Sequence, residues 1–477
     1  MTDDIRLPDL EMGVYGLLTR KARLGADAAG KITYADIIAE DHCPVPPILQ
    51  PTELPQVKSA RVSFDRYHEP RFVDLEVEHI WSKTWQVACR EEDIPNVGDR
   101  INYDIVKASY VIVRTAPDEI KAFYNSCRHR GRTLCSGKES GTHLRCPFHA
   151  WTWNLDGSLE WVPTQHDFPH VDKAAYALPE VNVGRWGGNI FINPDPEAVP
   201  LTQALGILPK LFEDYDAAQR HTVLHFRKQI RCNWKIAQEA FMESYHVLET
   251  HWDGMPFFGA AHCQYSEHDQ EDSYINWLAS PSLVPDFWLE GSISAAEGLH
   301  QYCTAFGIPE PTEPVTSVAE ARAYVANWRA KAIKDTCGRD FSALGTPYLI
   351  DMIKAFMFPN FHPWWGEGLP WWYRFRPCGD DAGMSIMEVR VTQPNPVDGP
   401  IPATTTPIDI GPDERCSDFP ELGAAGKIID QDIANLVEIQ KGLHAAKPGA
   451  DFMTLARYEE SNIQHFHRAY NKLLGLD

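Results

Sequence analysis

Two short motifs hold the residues best able to do chemistry. Cys127-Arg128-His129 is a Cys-x-His pair, and Cys146-Pro147-Phe148-His149 is a Cys-x-x-His pair. Sixteen residues lie between His129 and Cys146. Successive side chains on an extended chain point to opposite faces, so Cys127 and His129, two apart, can project from the same side of one loop. Structural zinc sites usually pair like with like, a C-x2–4-C unit followed by an H-x3–5-H unit. Here each half is mixed. Two mixed loops facing each other can put both sulfurs on one metal and both imidazoles on a second, which is the ligand set of a [2Fe–2S] centre with histidine on one iron. One tetrahedral zinc is the competing arrangement. Gly131 and Gly141 flank the loops, and Pro147 stiffens the second.

A second group of candidates follows Asn233. The stretch N-W-K-I-A-Q-E-A-F-M-E-S-Y-H-V-L-E-T-H-W-D-G holds Glu239, Glu243, His246, Glu249 and His251. Read as one helix to about Glu249, it puts Glu239, Glu243 and His246 on a face with Ile236 and Val247. An acid on such a face needs a partner, because burying an unpaired charge is costly. His246 and His251 are five apart, about 140° around an ideal helix, too far to share one metal on a straight segment. A local irregularity, or a helix end before His251, would bring them together, and Asp253-Gly254 is a plausible stop. By itself H-x4-H is a weak signal. Two histidines and one carboxylate on one face suit non-haem Fe(II), because they leave positions open for O2. Asp430 and Asp432 in I-I-D-Q-D-I-A-N-L-V-E-I are the available acids. On helical spacing Ile429, Leu436, Ile439 and Leu443 fall within about 60° of Asp432, and Asp430 falls about 160° away. Asp432 is the acid set in the apolar stripe, and Asp430 reads as solvated.

The elements that must position these residues follow from periodicity. Residues 69–86 carry Phe72, Leu75, Val77, Ile80, Trp81 and Trp85 at helical spacing. From Asp93 the pattern becomes short strands, with Val111–Val113 and Ala122–Tyr124 flanking a hairpin turn at Ala116-Pro117-Asp118. This small β unit closes near Ile190–Pro194, with the metal loops at its tips. Residues 221–231 read as a strand, and 317–334 as a helix with a Ser317/Glu320 capping box. Strand runs recur at Trp371–Tyr373 and Ser385–Val391, residues 393–420 read as a long loop, and 425–446 as a helix. The domains expected are an N-terminal extension (1–60), a leading helix with a small β domain (61–195), and a larger unit (196–477). The fold class is α+β, with an antiparallel sheet packed by helices on one side. Proline-rich residues from Asp41 onward read as an extended arm, on this chain or a neighbour.

Composition narrows the function classes. The chain has 477 residues, a net charge of −22 and 44% hydrophobic residues. That charge argues against nucleic acid and anionic membrane surfaces. No run of about 18 apolar residues spans a bilayer, and the acidic start M-T-D-D-I-R lacks a signal core. A cytoplasmic location is expected. Eleven scattered cysteines fit reduced thiols and metal ligands better than disulfides, and Cys135 reads as core packing. Phe257, Phe258, Trp364, Trp365, Trp371 and Trp372 could line an apolar pocket or simply fill the core.

The Cys127–His149 stretch resembles the Rieske family. Together with the segment after Asn233-Trp234-Lys235 it resembles the α (large, catalytic) subunit of Rieske non-haem iron aromatic-ring-hydroxylating oxygenases, over about residues 70–477. The resemblance implies a small all-β Rieske domain and a catalytic domain of helix-grip type. It implies Cys127, His129, Cys146 and His149 on a [2Fe–2S] cluster, and His246, His251 and Asp432 on a mononuclear Fe(II). Glu243 would link the two centres by bonding His149 of a neighbouring subunit, which makes an oligomer, a homotrimer or α3β3, obligatory. A reductase, with or without a ferredoxin, would supply electrons for oxygen insertion into an organic substrate. An aromatic or polycyclic substrate is favoured over a small quaternary amine if the aromatics line the pocket, and hydroxylation, dihydroxylation and demethylation all stay open. Many members carry Asn where this chain has Ala240, which removes one hydrogen bond beside the iron. The alternatives are a Rieske electron carrier without oxygenase activity and a zinc-stabilised binding module.

Overall fold

A computed structural model describes residues 33–41, 43, 47–49, 61–251, 257–284, 293–447 and 452–476. Most of the N-terminal extension and the Asp253-Gly254 stop lie outside the described residues. The leading helix begins with Pro70 at its first position, where no backbone N–H is needed. It runs over Pro70–Glu76 and continues as a wider turn over Val77–Trp81. Phe72, Ile80 and Trp81 are buried, as the spacing predicts, but Val77 of the same stripe is exposed.

A seven-stranded sheet follows, in the order Gln86–Arg90, Asn189–Asn193, Glu180–Trp186, Glu119–Tyr124, Ala108–Ala116, Arg100–Ile105, Lys138–Glu139. Ala116 pairs with Glu119, so Pro117 and Asp118 form the predicted turn. A separate three-stranded sheet joins His143–Arg145, Thr152–Asn154 and Leu159–Trp161. The Cys146–His149 motif is the connection between the first two of these strands. Val111, Phe123, Leu144 and Trp153 form a core beneath the motifs, and Cys127 and Cys146 belong to it.

The C-terminal half is built on an eight-stranded sheet. Its order is Gln264–Gln270, Ser273–Ser280, Met352–Met357, Phe361–Trp365, Trp371–Pro377, Ser385–Pro394, Arg220–Ile230, Ile408–Ile410. All neighbours are antiparallel except the last pair, in which Phe226 opposes Ile408 in parallel. The predicted long loop therefore contains an edge strand. Two central strands, Met352–Met357 and Phe361–Trp365, are buried at every position. Both faces are covered, so these strands show no polar alternation. Phe356, Trp364 and Tyr373 pack with Leu299, Ile429 and Phe466 of the long helices. Ile353, Ala355 and Trp365 face the opposite core, with Leu201, Leu208 and Phe191. The expectation of helices on one side alone is thus incomplete.

Three further readings need correction. The helix after Asn233 is not continuous: it covers Trp234–Glu239, and a separate turn covers Val247–Thr250. Ile439 is 43% exposed instead of sharing the buried stripe with Asp432. Asp430 is not merely solvated, because its carboxylate accepts the backbone N–H groups of Cys416 and Ser417 at 2.7 and 3.0 Å. The helices Ala295–Phe306 and Ser461–Leu474 and the hairpin Gln264–Ser280 were not foreseen. The helix over Val318–Cys337, by contrast, starts with the predicted box, Ser317 accepting from Glu320 N–H.

Part of the N-terminal extension lies on its own chain. Tyr34–Glu40 is a short helix capped by Thr33. Arg322 is fully buried and bonds Asp41 and Asp351, at 2.7 to 3.0 Å, and the Ser282 carbonyl. Tyr34 donates its hydroxyl to Asp351 at 2.9 Å. One guanidinium thus ties the extension, a helix and the start of a central strand together.

Candidate metal centres

The two Cys/His loops have the same backbone. Cys127 N–H donates to Arg132 O, and Gly131 N–H donates back to Cys127 O. Cys146 N–H donates to Trp151 O, and Ala150 N–H donates back to Cys146 O. Each loop needs a left-handed residue at its fifth position: Gly131 at φ 75° and Ala150 at φ 63°. Glycine takes that conformation freely and alanine under strain.

The matched loops bring like atoms together. Burial, with the neighbouring Cys146 thiol, pushes the Cys127 thiol up from its ordinary value. The His129 and His149 rings are 4.8 Å apart, centroid to centroid. His129 stacks on Trp151 at 5.1 Å, nearly parallel. Burial, helped by the His149 imidazole, lowers His129 below its ordinary value and favours the neutral, ligating form. His129 Nδ1 is buried without a hydrogen-bond partner, an orphan that a metal would satisfy. Among the described residues, the donor groups able to converge on one ion are two, and these four residues are not one of them. Sulfur beside sulfur and imidazole beside imidazole fits a two-iron cluster better than a single zinc. His149 lies at the surface, next to Phe148, which is 56% exposed.

The second centre depends on the break in the helix. Asn233 caps the first segment through Lys235 N–H. After Glu239 two backbone N–H groups leave the helical ladder. Ser244 N–H donates to the Tyr265 hydroxyl at 3.2 Å, and His246 N–H to Glu243 Oε2 at 3.0 Å. These bonds replace helical ones, so the chain turns without leaving a buried donor unpaired. His251 closes the following turn in a non-helical conformation. Its ring then comes within 5.4 Å of the His246 ring.

Asp432 completes the group from the helix Gly423–Ala445. Its Oδ1 lies 3.0 Å from His251 Nε2 and 3.5 Å from His246 Nε2. One donor atom from each of the three residues falls within 4.8 Å of the others. Each imidazole is held by its other nitrogen. His246 Nδ1 lies 2.5 Å from Glu243 Oε1, and His251 Nδ1 lies 3.0 Å from Gln431 Oε1. A proton at Nδ1 leaves Nε2 as the free lone pair on both rings. Burial pushes the Asp432 carboxyl up, but the two histidines outweigh it and hold it down at about 2. Burial disfavours a charged His246, yet Glu243 and Asp432 raise it to about 10. A buried site that draws a proton onto imidazole so strongly is a site for a cation.

Glu239 is not part of this group. It bonds the Tyr67 hydroxyl at 2.8 Å and His467 Nε2 at 2.9 Å. The helical break turns it away from Glu243, contrary to the one-face expectation. Glu249 is exposed.

A cavity of about 700 Å³ opens onto the second centre. Phe257, Phe258, Trp364 and Trp371 line it, while Trp365 and Trp372 do not. Strand alternation sends the last two to the other core. Ala240 also lines the cavity, as do Tyr373 and Phe306. Lys354 is the residue sequence reasoning missed. It is 8% exposed on the strand Met352–Met357 and lines the same cavity. Its signal was a lone charge inside the apolar run M-I-K-A-F-M. Gln431 had no comparable signal.

Comparison with known proteins identifies two domains. Residues 84–176 match the Rieske [2Fe–2S] domain. Residues 212–335 match the ring hydroxylating alpha subunit (catalytic domain). The carnitine monooxygenase oxygenase subunit of Escherichia coli is 28% identical over 256 residues, covering 51% of this chain and 66% of that one. The anthranilate 1,2-dioxygenase large subunit of Acinetobacter baylyi is 30% identical over 201 residues, covering 40% and 43%. Among solved structures, a quaternary ammonium Rieske monooxygenase superposes with TM-score 0.62 at 17% identity, covering 88% of this chain and 96% of the other. Naphthalene 1,2-dioxygenase with bound indole superposes with TM-score 0.60 at 18% identity, covering 87% and 92%. No helix among the described residues is long and apolar enough to cross a membrane. The chain thus carries a Rieske [2Fe–2S] domain followed by a ring hydroxylating alpha subunit catalytic domain, and its relatives are Rieske oxygenase large subunits.

Proposed function

We propose that the chain is the terminal oxygenase component of a Rieske system, with Cys127, His129, Cys146 and His149 holding the [2Fe–2S] cluster and His246, His251 and Asp432 holding the mononuclear iron. The observation that carries this reading is the convergence of those last three donors at the wall of a large apolar cavity. An electron carrier has no use for such a cavity. When bound, the cluster supplies stored electrons and the Fe(II) supplies dioxygen activation. The protein's own residues do the rest. Glu243 and Gln431 hold the Nδ1 protons of His246 and His251, which fixes both Nε2 lone pairs toward the metal. Asp432 would supply the negative charge among the three ligands. The aromatic wall excludes water and orients an apolar substrate.

The substrate favoured is an aromatic or polycyclic compound, undergoing hydroxylation, dihydroxylation or demethylation. Phe257, Phe258, Trp364 and Trp371 support that choice. Some named relatives act on carnitine, and others on anthranilate. Electrons come from a reductase, directly or through a ferredoxin. A neighbouring copy completes the route, in a homotrimer or an α3β3 assembly. Exposed His149 and Phe148 on one copy would meet Glu243 and Tyr245 on the next; Tyr245 is 63% exposed. The domains remain the proposed 61–195 and 196–477, with 1–60 as an extension.

Iron counting tests the reading. Purified protein should hold about three irons per chain, two in the cluster and one at the His246, His251 and Asp432 site. Asp432→Ala should keep the cluster's visible spectrum, lose one iron and lose turnover. Two irons in the unaltered protein, or full oxygenation by the variant, would overturn the assignment.

A further inference from the structure

Aromatic and aliphatic side chains dominate the cavity lining, which also carries polar groups and two lysines, Lys427 exposed and Lys354 buried. Lys354 brings an ammonium into a wall otherwise made mostly of aromatic and aliphatic side chains. Its Nζ makes one long hydrogen bond, 3.4 Å to the Glu243 carbonyl, and lies 5.3 Å from the Trp364 ring. An ammonium has three protons to donate. Among the described residues, no carboxylate comes within ion-pair distance of it. Trp364, beside it, carries an indole N–H that is buried without a partner. Burial pushes the Lys354 ammonium down to about 8, against the pull of Glu243, Cys263 and Asp432.

Charge balance sharpens the point. The carboxylates nearest the cavity, Glu243 and Asp432, face His246 and His251. Together they match the two charges of a ferrous ion. Lys354, unlike the exposed Lys427 at the same cavity, is then a surplus charge that is buried. A buried charge of this kind is costly without a partner and favours an occupant that brings the opposite sign. A quaternary ammonium would meet a like charge across a low-dielectric cavity.

We propose that Lys354 is a specificity-determining residue that anchors the carboxylate of an anionic aromatic substrate inside this cavity. The inference rests on the oxygenase reading for the identity of the cavity, but its test does not require turnover.

Binding is measured by isothermal titration of the iron-loaded holoenzyme, without reductant, using three ligands of matched size: 2-naphthoate, neutral 2-acetylnaphthalene and N,N,N-trimethyl-2-naphthylammonium. The expected order is carboxylate tighter than ketone by at least about tenfold, and ketone tighter than ammonium. Lys354→Met should bring the carboxylate and the ketone within about threefold of each other, with ketone affinity retained. Lys354→Arg should keep the preference. Lys354→Gln replaces the Met variant if that variant loses its cluster spectrum. Equal binding of the carboxylate and the ketone, tighter binding of the ammonium, or a preference that survives Lys354→Met would each overturn the proposal. Selective 2-naphthoate binding by a protein lacking the third iron would support the anion site while overturning the oxygenase reading.

Discussion

Glu243 has both carboxylate oxygens committed within its own chain, one to the His246 ring and one to the His246 backbone N–H. Each oxygen still has a lone pair, so the same side chain can accept a further bond from a neighbouring copy. An amide at this position would keep the size and lose the charge and one acceptor. Glu243→Gln should therefore retain all the iron and the cluster spectrum. Product formed in a single turnover of pre-reduced protein should slow by at least about tenfold, since charge-assisted hydrogen bonds are about twice as strong as neutral ones. A rate equal to that of the unaltered protein would remove Glu243 from the connection between the centres. Asp432 illustrates how burial and pairing compete at one residue. Burial alone would neutralise it, and two imidazoles reverse the outcome.

At the scale of elements, both centres are built from interrupted regular structure. The cluster loops are two copies of one five-residue turn, each ending in a left-handed residue. The Gly131 position offers room for a side chain, since the nearest atom to an added Cβ is 3.8 Å away. Its φ of 75° is what excludes a branched residue. Gly131→Val should cost about 1–3 kcal/mol of backbone strain and lower cluster occupancy. Ala150→Gly should leave the cluster intact, because it relieves strain of the same kind. Visible absorbance per chain checks both. An undiminished cluster in Gly131→Val would show that the loop tolerates another conformation. The catalytic helix is interrupted for a different reason. Tyr265, from the hairpin Gln264–Ser280, takes the N–H of Ser244, and the chain bends where the helical spacing would have run on.

For the whole molecule, a buried ionic knot links distant parts of the chain. Arg322 holds Asp41 and Asp351, and Tyr34 joins through Asp351. Burial raises the Asp351 carboxyl, and Arg322 opposes that effect. Removing the guanidinium leaves two buried acids unpaired. Arg322→Met should destabilise the fold by about 3–5 kcal/mol, read as a lower denaturation midpoint with the cluster spectrum unchanged at low denaturant. A midpoint within error of the unaltered protein would show that the acids find other partners. A second knot ties the leading helix to the catalytic helix: Glu76 accepts from Lys235, Trp234 and Tyr470. The chain's halves are therefore fastened by polar groups as well as by a shared apolar core.

The sequence by itself determined what depends on local spacing and residue type. The Cys/His pairs, the hairpin turn after Ala116, the Ser317 capping box and the placement of Asp432 on an apolar stripe were all readable, because each rests on neighbours within a few residues. Only the tertiary structure decided what depends on distant partners. It broke the helix between Glu239 and Val247, since Tyr265 and the Glu243 carboxylate compete for helical N–H groups. It turned Glu239 toward Tyr67 and His467, gave Asp430 the Cys416 turn to cap, and placed Gln431 behind His251. It also sorted Trp364 from Trp365 and Trp371 from Trp372, because a sheet covered on both faces erases the polar alternation that would have told them apart. And it brought Lys354 to the cavity, where a charge that looks like an exception in an apolar strand acquires a use.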